Sequence, residues 1–215
     1  CVHIDALPAG LLWGVSGGKQ GIFEEDNFTS PAYTLRLNYN GVPGLRVGAS
    51  FYYCANTAAN SDKLVEYSFR APLRIYTVDA QYKNSVVTAR ANFMWGSLTN
   101  SDRVSSVNTK LSNQSPYTRV VPVAHKAVSY GAEVGLNLAG IFRGANVPAI
   151  YPFARYDYYN PQKQCEGLYI EDHRCEVSKW TAGVNWYALP NLVIKADYST
   201  RQIGTSKMFG KGSFW

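Results

Sequence analysis

AYTLRLNY, residues 32–39, alternates apolar and polar side chains without a break. Tyr33, Leu35, Leu37 and Tyr39 fall on one parity, and Thr34, Arg36 and Asn38 on the other. A β-strand turns successive side chains to opposite faces, so this run has one greasy wall and one wet wall. About eight such runs succeed one another from Ala32 to Thr200. Runs of about ten residues with this pattern cross a bilayer when tilted as strands. Lipid admits only helices and closed barrels, because every backbone polar group must be paired within the protein. The expected fold class is therefore all-β, a transmembrane antiparallel up-and-down β-barrel.

Composition narrows the class. The 215 residues suffice for one domain, and although 46% are hydrophobic, no stretch approaches the length of a transmembrane helix. Mean hydropathy is −0.21. With 16 Tyr and 18 Gly but only 2 Met, the chain suits strands and turns better than helical bundles. The net charge of +6 is dispersed among the runs, with no block of five Lys or Arg and no basic helix. That distribution argues against nucleic acid as a partner and suits a pore lining or an anion-attracting mouth.

The next runs keep the phase. Val47, Ala49, Phe51 and Tyr53 face outward in the second, Tyr76, Val78, Ala80 and Tyr82 in the third, and Val87, Ala89, Ala91, Phe93 and Trp95 in the fourth. Val128 to Leu138, Ala154 to Tyr158, Trp180 to Trp186 and Leu192 to Tyr198 supply the remaining outward sets on alternate positions. Outward aromatics gather at both ends, with Tyr39, Tyr82 and Trp186 at one and Tyr76, Trp95, Tyr130, Tyr158, Trp180 and Tyr198 at the other. Two aromatic girdles mark a membrane barrel, whereas a soluble β-sandwich has no need of them.

Links alternate in length. NGVPG (40–44), KNS (83–85), AGIFRGANVP (139–148) and ALPN (188–191) are the shorter set, while 55–71, 96–126 and 161–179 are long. Bacterial barrels keep short turns in the periplasm and long loops outside, which sets the first run descending. Both ends of the eight-run set would then lie outside the cell. The expectation is one domain over 1–215, incomplete at both ends, with a strand before Ala32 (GLLWGVSGGK, 10–19, is the candidate) and another after Arg201.

Other chemistry is sparse. Cys165 and Cys175 bracket one polar loop and read as a disulfide in an oxidising compartment. A zinc site joining His173 to them matches no standard spacing, so no metal and no cofactor is expected. Cys1 raises lipidation, but no Ser/Gly/Asp tether follows it, and CVHIDALPAG is not a signal peptide. GVSGGKQG (14–21) lacks phosphate-loop spacing and reads as a Gly-rich turn. His3, His125 and His173 belong to no nucleophile motif, although His125 could meet a loop Ser, so no enzyme is expected.

The polar parity carries the remaining candidates as pore-lining residues: Arg36, Arg46, Asp79, Arg90, Glu133, Arg155, Asp157, Lys195 and Asp197. An Arg facing lipid at mid-depth would cost roughly 2–4 kcal/mol, so these guanidinium groups belong in the lumen. There they either set up a transverse field that selects by charge and size, or pair off to satisfy one another. The link 96–126, bearing Arg103, Lys110 and Arg119, either folds inward as a constriction or covers the outer surface.

An ordered series of segments carries a family resemblance: NFTSPAYTLRLNYNGVPGLRVGASFYY (27–53), VDAQYKNSVVTARANFMWGSLTNSD (78–102), GAEVGLNL (131–138), PFARYDYYN (152–160) and WTAGVNWYALPNLVIKADYSTR (180–201). It resembles the porin-like outer-membrane barrels of the Bacteroidales type and, more distantly, the phosphate-selective porins. The resemblance implies that these eight strands form the carboxy-terminal part of a barrel of about sixteen. It further implies passive diffusion of small hydrophilic solutes or ions across the bacterial outer membrane without naming the solute, while Arg103, Lys110 and Arg119 in the link 96–126 favour anions. Lipid, lipopolysaccharide and a homotrimer or larger outer-membrane complex would be the partners. The rival expectation is a non-conducting barrel acting as an adhesin or as a scaffold within an envelope complex.

Overall fold

A computed structural model describes residues 30–60, 67–112, 122–142, 149–189 and 191–205. Eight strands follow in chain order: β1 (Ala32–Tyr39), β2 (Leu45–Cys54), β3 (Leu73–Lys83), β4 (Val87–Leu98), β5 (Lys126–Leu136), β6 (Ala149–Gln164), β7 (Val177–Leu189) and β8 (Leu192–Ile203). They form one sheet in the order of the sequence, each strand antiparallel to the next. Among the described residues β1 and β8 do not pair, so the sheet is an open up-and-down wall, as a part of a barrel is. No described helix is long and apolar enough to cross a membrane.

The ladders keep the alternation in phase across the sheet. Leu37 lies opposite Ala49, Ala49 opposite Val78, and Val78 opposite Phe93, which is opposite Tyr130. Leu35, Leu37, Val78, Phe93, Val134, Val184 and Ile194 are all exposed on this apolar wall. Toward the end bearing the long links its aromatics touch in pairs: Phe51 and Tyr76 at 4.8 Å between centroids, Tyr76 and Trp95 at 5.5 Å, Tyr130 and Tyr158 at 4.8 Å, Tyr156 and Trp180 at 4.7 Å. Cross-strand rings at such separations add to the pairing of neighbouring strands. Arg74 extends the belt, its guanidinium 5.9 Å above the Tyr53 ring.

Turn chemistry fixes the short links. Leu45 N–H donates to the Val42 carbonyl at 3.0 Å, and Gly44 at the third position has a φ of +80°. Pro before such a Gly is the type II signature, since Pro presets the second position and Gly alone adopts the third without strain. Between β3 and β4 the Asn84 side chain accepts from the Val86 and Val87 N–H groups at 2.8 and 2.6 Å. This local mimic of a backbone turn suits Asn.

The buried core sits at the opposite end, under the long links. There the polar parity of β2 to β4 turns apolar: Cys54, Leu73 and Ile75 cluster with Tyr52 and Leu98 beside them. Ala58, Phe69, Ala71, Val104, Val107 and Val123 make a second cluster touching Leu98. Val104 and Val107 come from α1 (Ser101–Ser112), a helix within what reads from sequence as a polar loop. Their three-residue spacing puts both on one face, and tertiary burial outweighs the Ser/Asn-rich propensity. The Glu166 carboxylate accepts from Ser101 N–H at 2.8 Å, satisfying a free donor at the helix start and complementing its dipole. Gln162, 1% exposed, closes the assembly: its Nε2 donates to the Pro122 carbonyl at 2.7 Å and its Oε1 accepts from Asp172 N–H at 3.1 Å. His125 faces the Leu98 carbonyl at 2.9 Å and Glu166 at 3.7 Å.

Three expectations need adjustment. Leu138 is not on β5, because the chain leaves the ladder after Leu136 and turns into α2 (Leu138–Ile141). Several strands run further than their alternation, β6 most of all, to Gln164. The Cys165–Cys175 disulfide is not formed, and both are free thiols. Each is held by its own surroundings: Cys165 N–H donates to Glu171 at 3.1 Å, while Cys175 ends a 3-10 turn capped by Asp172. Burial pushes the Cys165 thiol up to about 11, with the Glu171 carboxylate adding to it. Cys1, His3, the candidate strand 10–19, the Gly-rich turn 14–21, Arg119 and the segment after 205 lie outside the described residues.

Two predictions follow from the loop assembly. Gln162→Leu strands the Pro122 carbonyl and the Asp172 N–H, so local stability should fall by about 1–3 kcal/mol. Amide exchange in 122–125 and 168–176 reads this, and unchanged protection there would refute the lock. Cys165 should alkylate more than tenfold more slowly in the folded protein than in the denaturant-unfolded chain at about pH 8, because thiolate is the reactive form and burial suppresses it. The folded rate should climb as pH rises toward 11. Equal rates by peptide mapping would contradict the burial.

Candidate functional site on the polar wall

The second parity of the eight strands forms a continuous polar wall, and its register sets two charged rows. Along the first, Arg46 lies opposite Gln81, Gln81 opposite Arg90, Arg90 opposite Glu133, Glu133 opposite Arg155, and Arg155 opposite Thr181. Along the next rung, Gly48, Asp79, Asn92, Gly131, Asp157, Lys179 and Arg201 succeed one another. Same-face neighbours on adjacent strands stand about 5 Å apart at Cβ, close enough for long side chains to choose among several partners.

The choices are specific. Arg36 reaches past its own rung to Asp79, with Nη2 at 2.7 and 3.1 Å from the two carboxylate oxygens, and also donates to Ser50 at 2.9 Å. Gly48 makes room for this reach: a Cβ there would stand inside the guanidinium. Arg90 approaches Glu133 directly opposite, at 3.5 Å. Arg155 also faces Glu133 across the ladder, yet binds Asp157 two residues along its own strand at 2.7 Å. Glu133 therefore lies between two guanidinium groups.

Pairing is uneven. Among the described residues Arg46, Lys179 and Lys195 have no carboxylate within 4 Å, and Asp197 has no cation within that distance. Arg201 instead donates to the Tyr159 hydroxyl at 3.4 Å. A hollow of about 380 Å³ opens over β4 to β8, bordered by Arg90, Glu133, Arg155, Asp157, Lys179, Lys195 and Asp197. It adjoins one of about 310 Å³ over β3 to β6 that takes in Asp79 and Gln81. The arrangement offers cations and carboxylates to a solute in water, with no nucleophile paired to a base.

All nine residues singled out from sequence stand on this wall. Lys179 and Arg201 join them; each lies beyond the apolar positions that bound its run, where alternation carries no signal. Phe153, which borders the larger hollow, was passed over because an aromatic on the polar parity carries no charge signal.

Residues 149–208 match the family model of phosphate-selective porin O and P, a stretch that takes in β6, β7 and β8. No curated protein matches the chain. Through this segment the chain is similar to the phosphate-selective porins.

Proposed function

We propose that the protein is an outer-membrane porin through which small hydrophilic solutes and ions diffuse passively, with anions favoured. The observation that carries this reading is the uneven pairing on the polar wall: Asp79, Glu133 and Asp157 each hold a guanidinium, while Arg46, Lys179 and Lys195 have no carboxylate within 4 Å among the described residues. Charges lining one side of a wet passage raise the local concentration of the opposite ion. The apolar wall, with Leu37, Val78, Phe93 and Ile194 exposed, suits acyl chains, and its aromatic belts suit headgroups and lipopolysaccharide. Eight further strands would complete a barrel of about sixteen, alone or as a trimer.

A second reading has its own support. At the long-link end of β2 to β4 the polar parity is apolar, and Val104 and Val107 of α1 join a cluster that packs against Leu98 there. Links packed on that face would narrow one mouth of a closed barrel, and a barrel shut there would serve as an adhesin or as a scaffold in an envelope complex. Steady, salt-dependent channels from the full-length protein in planar bilayers support the porin, and a silent bilayer supports the scaffold.

Selectivity gives the sharper test. Arg46→Gln with Lys195→Gln should lower the anion-to-cation permeability ratio about twofold or more at low salt, where the Debye length is about 10 Å at 0.1 M. The effect should shrink toward 1 M salt, where the length is about 3 Å. Removing both members of the Arg36–Asp79 pair, as Arg36→Gln with Asp79→Asn, leaves the net charge unchanged and should leave the reversal potential nearly unchanged. Equal shifts from the two double variants would contradict the role given to the free cations. For orientation, an impermeant thiol reagent on intact cells should label Ser106→Cys in α1 but not Asn191→Cys in the β7–β8 link, with wild type as the blank. The opposite pattern would invert the topology.

A further inference from the structure

Aromatic residues on the polar wall break the rule that the rest of it follows. Phe153 is half-buried, borders the larger hollow and sits between two glycines: Gly135 is opposite it on β5, and Gly183 opposite it on β7. Neither glycine has a positive φ, so conformational freedom does not explain them. Space does. A Cβ on Gly183 would lie 2.8 Å from Phe153 Cε1, and one on Gly135 would lie 3.6 Å from Phe153 Cβ. The phenyl ring leans across Gly183 because no side chain stands there.

Polar groups surround the ring at fixed rungs. Asp197 is opposite Gly183, on the far side of the glycine that the ring covers. One rung away Asn185 pairs with Lys195, and one rung the other way Arg155 pairs with Thr181. All of these border the same hollow of about 380 Å³. Asp197 and Lys195 are also members of the wall without an ion-pair partner among the described residues. Tyr151 continues the aromatic surface two residues along β6, with its ring 5.0 Å from that of Tyr187.

We infer that Phe153 is a platform for the pyranose ring of a small sugar. The face of a phenyl ring carries partial negative charge, and the C–H groups on one face of a pyranose present partial positive charge to it. The hydroxyl groups at the rim of a pyranose need both donors and acceptors. Asn185 supplies both, Asp197 accepts, Lys195 and Arg155 donate, and Thr181 does either. A phosphate or other bare anion would use the cations but would gain nothing from the ring or from Asp197. The inference rests on the channel reading for its route and deepens it by naming a solute class.

The test uses the full-length protein and two readouts. In planar bilayers glucose or maltose should reduce the ion current in a saturable manner. Phe153→Leu should weaken that block roughly tenfold, while Phe153→Tyr retains it. In detergent micelles, saturation transferred from the aromatic protons should appear on the sugar C–H protons of wild type and of Phe153→Tyr, and be lost in Phe153→Leu. A protein that conducts no ions overturns the porin reading, and the saturation-transfer arm then decides the platform by itself. Sugar binding that is absent from wild type, or equal in Phe153→Leu and wild type, overturns the inference and leaves Phe153 as a ring that fills the space above two glycines. Circular dichroism and heat-modified gel mobility identify a variant that has not folded, for which Asp197→Asn supplies the alternative loss of a rim acceptor.

Discussion

Strand register is the constraint on which everything else rests. Each ladder from β1 to β8 holds a constant register that sets the apolar alternate positions of one strand opposite those of the next, so that they share one wall, with irregularities only at Lys126/Val128 and Tyr187/Leu189. A slip of one residue in any ladder would carry a strand's charges to the apolar wall and its apolar side chains to the polar wall. The turns hold that phase. Gly44 at positive φ and the Asn84 side chain each fix the pairing of the strands they join. Charged rows, aromatic belts and the two hollows are consequences of phase rather than of any single strong contact. The ion pairs on the wall are partly exposed and add little to stability.

The wall was legible in the sequence because alternation is a local signal. β1 begins and ends where AYTLRLNY does, and NGVPG turns as its Pro and Gly require. What was hidden depends on residues distant in sequence. Leu73, Ile75 and Leu98 look like breaks in the alternation, yet they lie on the polar parity because they pack against one another and Cys54 across the strands. Helix α1 is invisible in a Ser/Asn-rich link, since Val104 and Val107 acquire their meaning only from Ala58, Phe69 and Ala71. Parity likewise gave the side of each charge without its partner. Arg155 has a carboxylate opposite in Glu133 but takes Asp157 instead. The spacing of Cys165 and Cys175 permits a bond that the structure does not contain, and both are free thiols.

On the proposed porin reading, function on this wall is a matter of residual charge and shape. Opposed charges on neighbouring strands cancel over short distances, so any selectivity comes from groups that lack a partner, Arg46, Lys179 and Lys195 among them. Gln162 and Glu166 join the β4–β5 and β6–β7 links by hydrogen bonds, so the capped end behaves as one assembly instead of several independent loops.

The central claim is a two-faced wall, wet on one side and lipid-facing on the other. Spin labels placed one at a time from Thr88 to Phe93 in the full-length protein, reconstituted in bilayers, test it most directly through their relaxation by oxygen and by a water-soluble nickel complex. Positions 89, 91 and 93 should respond to oxygen and positions 88, 90 and 92 to nickel, alternating with a period of two along β4. Uniform access to either reagent, or the reverse phase, would contradict the account.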